Sequence, residues 1–195
     1  MKWGVDIDDS IVIVEDRGAG IRACSARVAR YETIVVSRDV ADVVSYAGGW
    51  LCDRVRAGWK VTVLVPEPCD TRPLDVLGMQ TRVLETELQP ILNPAPRALA
   101  LAADILALDD RLRDYVSKVV EQGLIEVTVW GDCLAAGLPH RLRPMRHRLS
   151  GAARAFKKEA LTATARSTEP LCEAEEFHCC APWYPVDAGD LLPVS

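Results

Sequence analysis

The chain has 195 residues, a hydrophobic fraction of 49% and a formal net charge of −5. That length suits one domain plus a tail, and the apolar fraction is enough for a core. The negative balance excludes a general polyanion binder. The longest apolar stretch, Ala98 to Ala103 with Ile105 to Leu108 beyond Asp104, is far short of the ~20 residues a membrane-spanning helix needs. Met1-Lys2-Trp3-Gly4 leads directly into acidic residues with no apolar signal segment, so a cytoplasmic protein is expected. Seven cysteines is an odd count, and Cys24, Cys52, Cys69 and Cys133 lie in or beside predicted elements. In a reducing compartment such thiols act as small hydrophobes, so no disulfide framework is expected.

Two apolar runs open the chain, Trp3 to Ile7 and Ile11 to Val14. They read as a hairpin, or as a strand followed by a loop or flap. Arg17-Gly18-Ala19-Gly20 is a turn. Ile21 to Tyr31 fits a helix or a third strand, and the spacing of Ile21, Cys24, Val28 and Tyr31 favours the helix. A strand–helix–strand unit follows. Thr33 to Ser37 is a short apolar strand, Val40 to Ala57 a helix with Asp39 as its N-cap, and Lys60 to Val65 a second strand after Gly58. Such a unit is how a parallel crossover looks in sequence, and parallel sheets carry ligand loops at the C-terminal ends of their strands.

Pro73 and Gly78 bracket a short helix, and Thr81 to Glu85 reads as a third strand. Pro90, Pro94 and Pro96 mark a loop. Ala98 to Gln122, stopped by Gly123, reads as one long helix whose Leu101, Ile105, Leu108, Leu112, Tyr115 and Val119 form an apolar seam. The seam either packs on the sheet or joins two copies as a homodimer. Ile125 to Trp130 is a fourth strand. After Pro139 comes a basic helix, about Met145 to Thr164, and from Arg166 the composition is that of an acidic tail. The expected fold is α/β: a Rossmann-like three-layer sandwich with a mostly parallel sheet of four to six strands, in one domain over 1–165, followed by the tail over 166–195.

The segment from Pro139 to Lys158 holds Arg141, Arg143, Arg146, Arg148, Arg154, Lys157 and Lys158 and no acid. Such a surface can bind phosphates of nucleic acid or an acidic protein partner, or remain a solvated helix face. Cys172, His178, Cys179 and Cys180 are acceptable zinc ligands by chemistry, but adjacent cysteines fit tetrahedral geometry poorly. The tail's acids, from Glu169 to Asp190, could also mask the basic segment.

The predicted strand ends gather carboxylates and hydroxyls: Asp6, Asp8 and Asp9, then Ser37 and Asp39, then Glu67, Asp70 and Asp132. Val5-Asp6-Ile7-Asp8-Asp9-Ser10 resembles the first motif of haloacid dehalogenase-like phosphohydrolases. The resemblance implies Asp6 as nucleophile, Asp8 as general acid/base, Ser37 and Lys118 (with Lys60 the second choice of lysine) as phosphate-binding groups, and Mg²⁺ held by Asp6, Asp8 and Asp132. A carboxylate beside a metal can form an aspartyl-phosphate. Ser10 departs from the motif, and no second acid closely follows Asp132. This incomplete set beside the charge asymmetry gives two expectations. The first is a non-catalytic binding or regulatory domain that engages a macromolecule through its basic helix and tail. The second is the phosphohydrolase.

Overall fold

The structure, a computed structural model, describes residues 12–13, 24–25, 31–65, 69–84, 96–123, 125–131, 141–164, 171–180 and 191–194. The chain divides into two compact units, Met1–Arg30 and Tyr31–Ser195. In the first, β1 (Val12–Ile13) pairs antiparallel with β2 (Cys24–Ser25). The second apolar run therefore does supply a strand. Its partner lies inside the segment expected to be helical, so that helix is corrected to a strand at Cys24–Ser25. The run Trp3 to Ile7 lies outside the described residues.

The second unit begins with the strand–helix–strand unit read from the sequence. It consists of β3 (Glu32–Val36), α1 (Val40–Arg56) and β4 (Lys60–Val65), and the two strands are parallel. Asp39 caps α1 by accepting from the Ala41 N–H at 2.9 Å. The apolar stripe of α1, with Val43, Ala47 and Leu51 all fully buried, packs on the sheet. Next come α2 (Arg72–Val76), with Pro73 in its first turn, and β5 (Gln80–Val83), parallel to β4.

The expected long helix from Ala98 is corrected. Ala98–Ala102 is a strand, β6, buried along its whole length between β3 and β7. Two helices follow it, α3 (Ala103–Leu108) and α4 (Asp110–Gln122). Alanine and leucine favour helices intrinsically, and a strand buried on both faces shows no polar alternation to betray it. The seam is broken accordingly. Leu101 belongs to the strand, and Leu108 is 65% exposed. Asp109 caps α4 through the Arg111 and Leu112 N–H groups, and Gly123 ends it at φ 62, a left-handed conformation that glycine adopts without steric cost. The fourth strand, β7 (Glu126–Trp130), lies where expected.

Two further corrections follow. The basic segment is not one helix: Arg143–Arg148 is strand β8, and α5 (Gly151–Ala163) starts only at the Ser150 N-cap. The region read as tail contains β9 (Ala174–Cys180), which lies inside the sheet, and β10 (Leu192–Pro193) at its edge. The sheet has eight strands in the order β10-β8-β9-β7-β6-β3-β4-β5. From β7 to β5 all neighbours are parallel; β9, β8 and β10 continue it antiparallel. The α/β class therefore holds, but the sheet is mixed and wider than the expected four to six strands.

Successive strand residues face opposite sides of the sheet. Val35, Val63 and Ala100 share one core with residues of α1, α2 and α5, whereas Ile34, Val36, Leu64 and Leu99 share the other with α3 and α4. Two buried ion pairs fix α1 to this frame. At its C-terminal end, Arg54 donates to Glu126 at 2.6 Å and to Thr33 at 3.3 Å, with its guanidinium 4.3 Å from the rings of both Trp50 and Trp59. Midway along the helix, Glu175 of β9 accepts from the Gly49 and Trp50 N–H groups at 2.8 Å each and from Lys157 at 2.5 Å. Lys157 also donates to the Ser45 carbonyl. Complete burial pushes the Glu175 carboxyl up, against Lys157 and the two N–H donors, which favour the charged form. No described helix is long and apolar enough to cross a membrane.

Candidate functional site

The order of strands locates the site. From β3 the chain moves outward through β4 to β5, then returns to place β6 on the other side of β3. Loops that leave two neighbouring parallel strands in opposite directions open a crevice at their C-terminal ends, which is where open α/β sheets bind ligands. By that rule the candidate site lies between the β3–α1 connection, Ser37 to Asp39, and the β6–α3 junction at Ala102 and Ala103.

Its central group is Asp42, in the first turn of α1. The Trp130 indole donates from Nε1 to Asp42 Oδ2 at 2.8 Å, and the Ser37 hydroxyl lies 3.4 Å from the same oxygen. The Ser37 hydroxyl is shared with the Asp39 carbonyl at 3.3 Å and accepts from the Asp39 N–H at 3.4 Å. Asp42 Oδ1 has no hydrogen-bond partner among the described residues. The Asp42 carboxyl is raised from the ordinary range, chiefly because it is partly buried, and further by the charges of Asp104 and Asp39; the Trp130 and Ser37 hydrogen bonds oppose the rise. Arg38 is exposed in the same connection and supplies a positive charge at this edge. The arrangement is a carboxyl with one oxygen anchored and one free, and a raised pKa. It can accept and return a proton.

Among the described residues, Asp39, Asp42 and Asp104 are the acids at this edge, but Asp39 spends one oxygen on the helix cap. Among the described residues, no three His, Cys, Asp or Glu side chains are arranged to hold a metal ion. Asp6, Asp8 and Asp132, the carboxylates expected around Mg²⁺, lie outside the described residues. Ser37 does stand at the β3 end as expected. Lys118 is exposed on α4. The acid that the structure puts beside Ser37 is Asp42, which sequence reasoning passed over along with Trp130 and Asp104. Its position three residues past the N-cap is the ordinary place for an acid that complements a helix dipole, so nothing marked it as special.

The other candidate groups are dispersed. Arg143, Arg146 and Arg148 are exposed on β8, and Arg154 and Lys158 on α5. Arg141 is bound to the Val120 and Glu121 carbonyls at the end of α4. Lys157 is not a surface cation at all, since it is buried against Glu175. Of the zinc candidates, Cys172 is exposed before β9, while His178 and Cys180 alternate with Cys179 along it and so face the opposite side of the sheet. Cys179 is pushed up to about 12 by burial and by the Glu126 charge, which keeps it a thiol rather than a metal-binding thiolate.

A serine, a histidine and an aspartate also meet at α5. Asp53 Oδ2 lies 2.9 Å from His147 Nε2 and accepts from the Ser150 N–H at 3.0 Å; Asp53 Oδ1 accepts from the Ser150 hydroxyl at 2.5 Å. The carboxylate sits between the other two, so no histidine activates the hydroxyl as a nucleophile. Ser150 Oγ accepts from the Ala153 N–H instead and caps α5. Burial alone would raise Asp53, but these donors outweigh it and hold the carboxyl below its usual range. The cluster is a structural joint between α1 and α5.

No family model matches the chain, and no curated protein matches it. Solved structures do. The 4-carboxy-2-hydroxymuconate hydratase of Pseudomonas putida superposes with a TM-score of 0.55 at 11% identity, over 81% of this chain and 99% of that one. A deacetylase of A40926 pseudoaglycone superposes with a TM-score of 0.50 at 16% identity, over 80% and 99%. A teicoplanin deacetylase reaches 0.49 at 14% identity, over 76% and 98%. The first two likenesses correct the resemblance to haloacid dehalogenase-like phosphohydrolases, because the sheet and helices match those of the hydratase and the pseudoaglycone deacetylase instead. The expectation of a non-catalytic binding domain is corrected in the same way, since the pseudoaglycone deacetylase and the hydratase whose folds this chain resembles are enzymes.

Proposed function

We propose that this chain is an enzyme that activates water at the crevice between β3 and β6, with Asp42 as its general base and acid, and that its reaction is hydrolysis of an N-acyl group on a small molecule. The observation that carries the reading is the state of Asp42: half-buried, raised in pKa, anchored through Oδ2 and, among the described residues, without a partner at Oδ1. A base works best when its pKa approaches the working pH, and partial burial moves a carboxyl in that direction. The similar folds support the chemistry, since one neighbour removes an acetyl group and the other is a hydratase.

In this reaction a water between Asp42 Oδ1 and the acyl carbon gives its proton to Oδ1 as its oxygen attacks the carbonyl. The tetrahedral intermediate then collapses, the carbon–nitrogen bond breaks, and Asp42 returns the proton to the leaving amine. Arg38, exposed beside Ser37, is placed to attract an anionic group of the substrate.

The test is purified protein assayed for acid and amine release from a panel of N-acetylated amines and amino sugars, with water addition to unsaturated carboxylates in parallel. Asp42→Asn should lower turnover by about 10²–10⁴-fold, the range for removal of a positioned acid or base. Turnover that survives Asp42→Asn, or water addition without acyl cleavage, would overturn the assignment.

A further inference from the structure

We propose that Trp130 is a positioning residue for Asp42: its indole lies across β6 and holds Oδ2, so that Oδ1 alone is presented to the substrate. The inference rests on the reading of Asp42 as the acid/base group and adds the device that orients it.

The geometry is specific. Trp130 ends β7, and Asp42 follows β3, with β6 between them. Strands stand about 4.8 Å apart, so the two parent strands are separated by about 9.6 Å. Trp130 pairs with Ala102 of β6 in the parallel register, and both belong to the same core on the α1 side of the sheet. A methyl group at position 102 leaves room for the indole to lie over β6. A larger side chain there would occupy the same space. The ring is 2% exposed, yet its one polar atom is satisfied by Asp42. A buried indole N–H needs such a partner, so the pair is held from both ends. Ser37, from the other side, reaches the same oxygen.

The charged groups around Asp42 are Asp39 at the cap of its own helix and Asp104 on α3, both of which oppose its ionisation. Arg38 is exposed in the connecting loop. Trp130 is the donor that works hardest against the two acids, and it acts on the charged form. Removing the indole N–H while keeping an aromatic ring should therefore favour the protonated carboxyl.

The experiment uses the full chain labelled with ¹³C at the aspartate carboxyls and ¹⁵N at the indole, with Asp42→Asn and Trp130→Phe assigning the two signals. In the wild type, the Trp130 Nε1–H resonance should move with pH at the midpoint of the Asp42 carboxyl signal. In Trp130→Phe the Asp42 midpoint should rise, and the acid limb of the rate profile should shift to higher pH by the same interval. Ala102→Leu should produce the same direction of shift by displacing the ring. An indole signal indifferent to the Asp42 titration, or an Asp42 midpoint unmoved in Trp130→Phe, would overturn the proposal whether or not turnover is found. The catalytic reading is judged separately, by the turnover of Asp42→Asn.

Discussion

Gly49→Ala tests the way β9 is locked to α1. A Cβ built at Gly49 would lie 2.2 Å from Leu149 Cδ2, 2.6 Å from Leu149 Cγ and 3.1 Å from Glu175 Oε1. Leu149 is 6% exposed and sits next to the Ser150 cap, so it has little space to retreat. In an exposed helix interior, replacing glycine by alanine stabilises by about 1 kcal/mol. Here overpacking should cost about 1–3 kcal/mol. Lengthening the bond between the Gly49 N–H and the Glu175 carboxylate should cost about 1.5–3 kcal/mol more. The net loss is then about 1.5–5 kcal/mol, read by urea unfolding followed through tryptophan fluorescence. Leu149→Ala alone should cost about 2–5 kcal/mol. The double variant should lose clearly less than the two single losses added, because the added methyl fills the space that leucine vacates. Gly151→Ala is the control: a Cβ there meets nothing within 4 Å, so it should be neutral or stabilising. A Gly49→Ala protein as stable as wild type, or strictly additive losses, would refute this account of the contact.

Lys157→Met should cost about 3–5 kcal/mol, because it leaves the buried Glu175 carboxyl without its cation; thermal unfolding at neutral pH measures this. Arg54→Met should cost a similar amount of about 3–5 kcal/mol through Glu126, and Arg54→Met with Glu126→Leu should recover much of it. Asp53 has a folded pKa below its unfolded value of about 3.9, so the stability it contributes is full above that value and is lost as pH falls through the folded one. Asp53→Asn should therefore reduce stability at neutral pH and flatten its decline on acidification. Asp42 has the opposite sign: its folded pKa is raised, so its charge costs stability that grows as pH rises from the unfolded value through the folded one. Asp42→Asn should raise the melting temperature above that interval and leave it unchanged below.

The parallel half of the fold was largely legible and the antiparallel half was not, for a physical reason. The β-branched runs of β3 and β4 flank a helix bounded by an N-cap aspartate and a glycine break, and local propensity agrees with the tertiary outcome. In β8 the residues Arg143-Pro144-Met145-Arg146-His147-Arg148 carry almost no apolar signal, and the inward His147 is held by Asp53, 94 residues away in the chain. β9 does alternate, with Glu175, Phe177 and Cys179 buried in turn. Its first inward residue is a carboxylate whose partners lie at Gly49, Trp50 and Lys157. An inward glutamate reads as solvent-facing until the residues that satisfy it are known. Composition then makes an interior strand look like a tail.

The site follows the same logic. Ser37 and Asp39 could be placed from sequence because they belong to a local pattern, a strand end followed by a cap. Asp42 differs from any other acid in a first helical turn only through Trp130, which is 88 residues away, and through Asp104. A site made of residues that are each ordinary in their own segment cannot be read from segments. What joins them is the return of the chain across β3, which puts β6 and then β7 on the far side of the first strand. The small residue Ala102 then matters as much as the groups that carry chemistry, because it stands beside Trp130 in the register between that indole's strand and the helix that carries Asp42. In this fold the parallel register, rather than any motif, brings the acid, its anchor and its free oxygen to one edge.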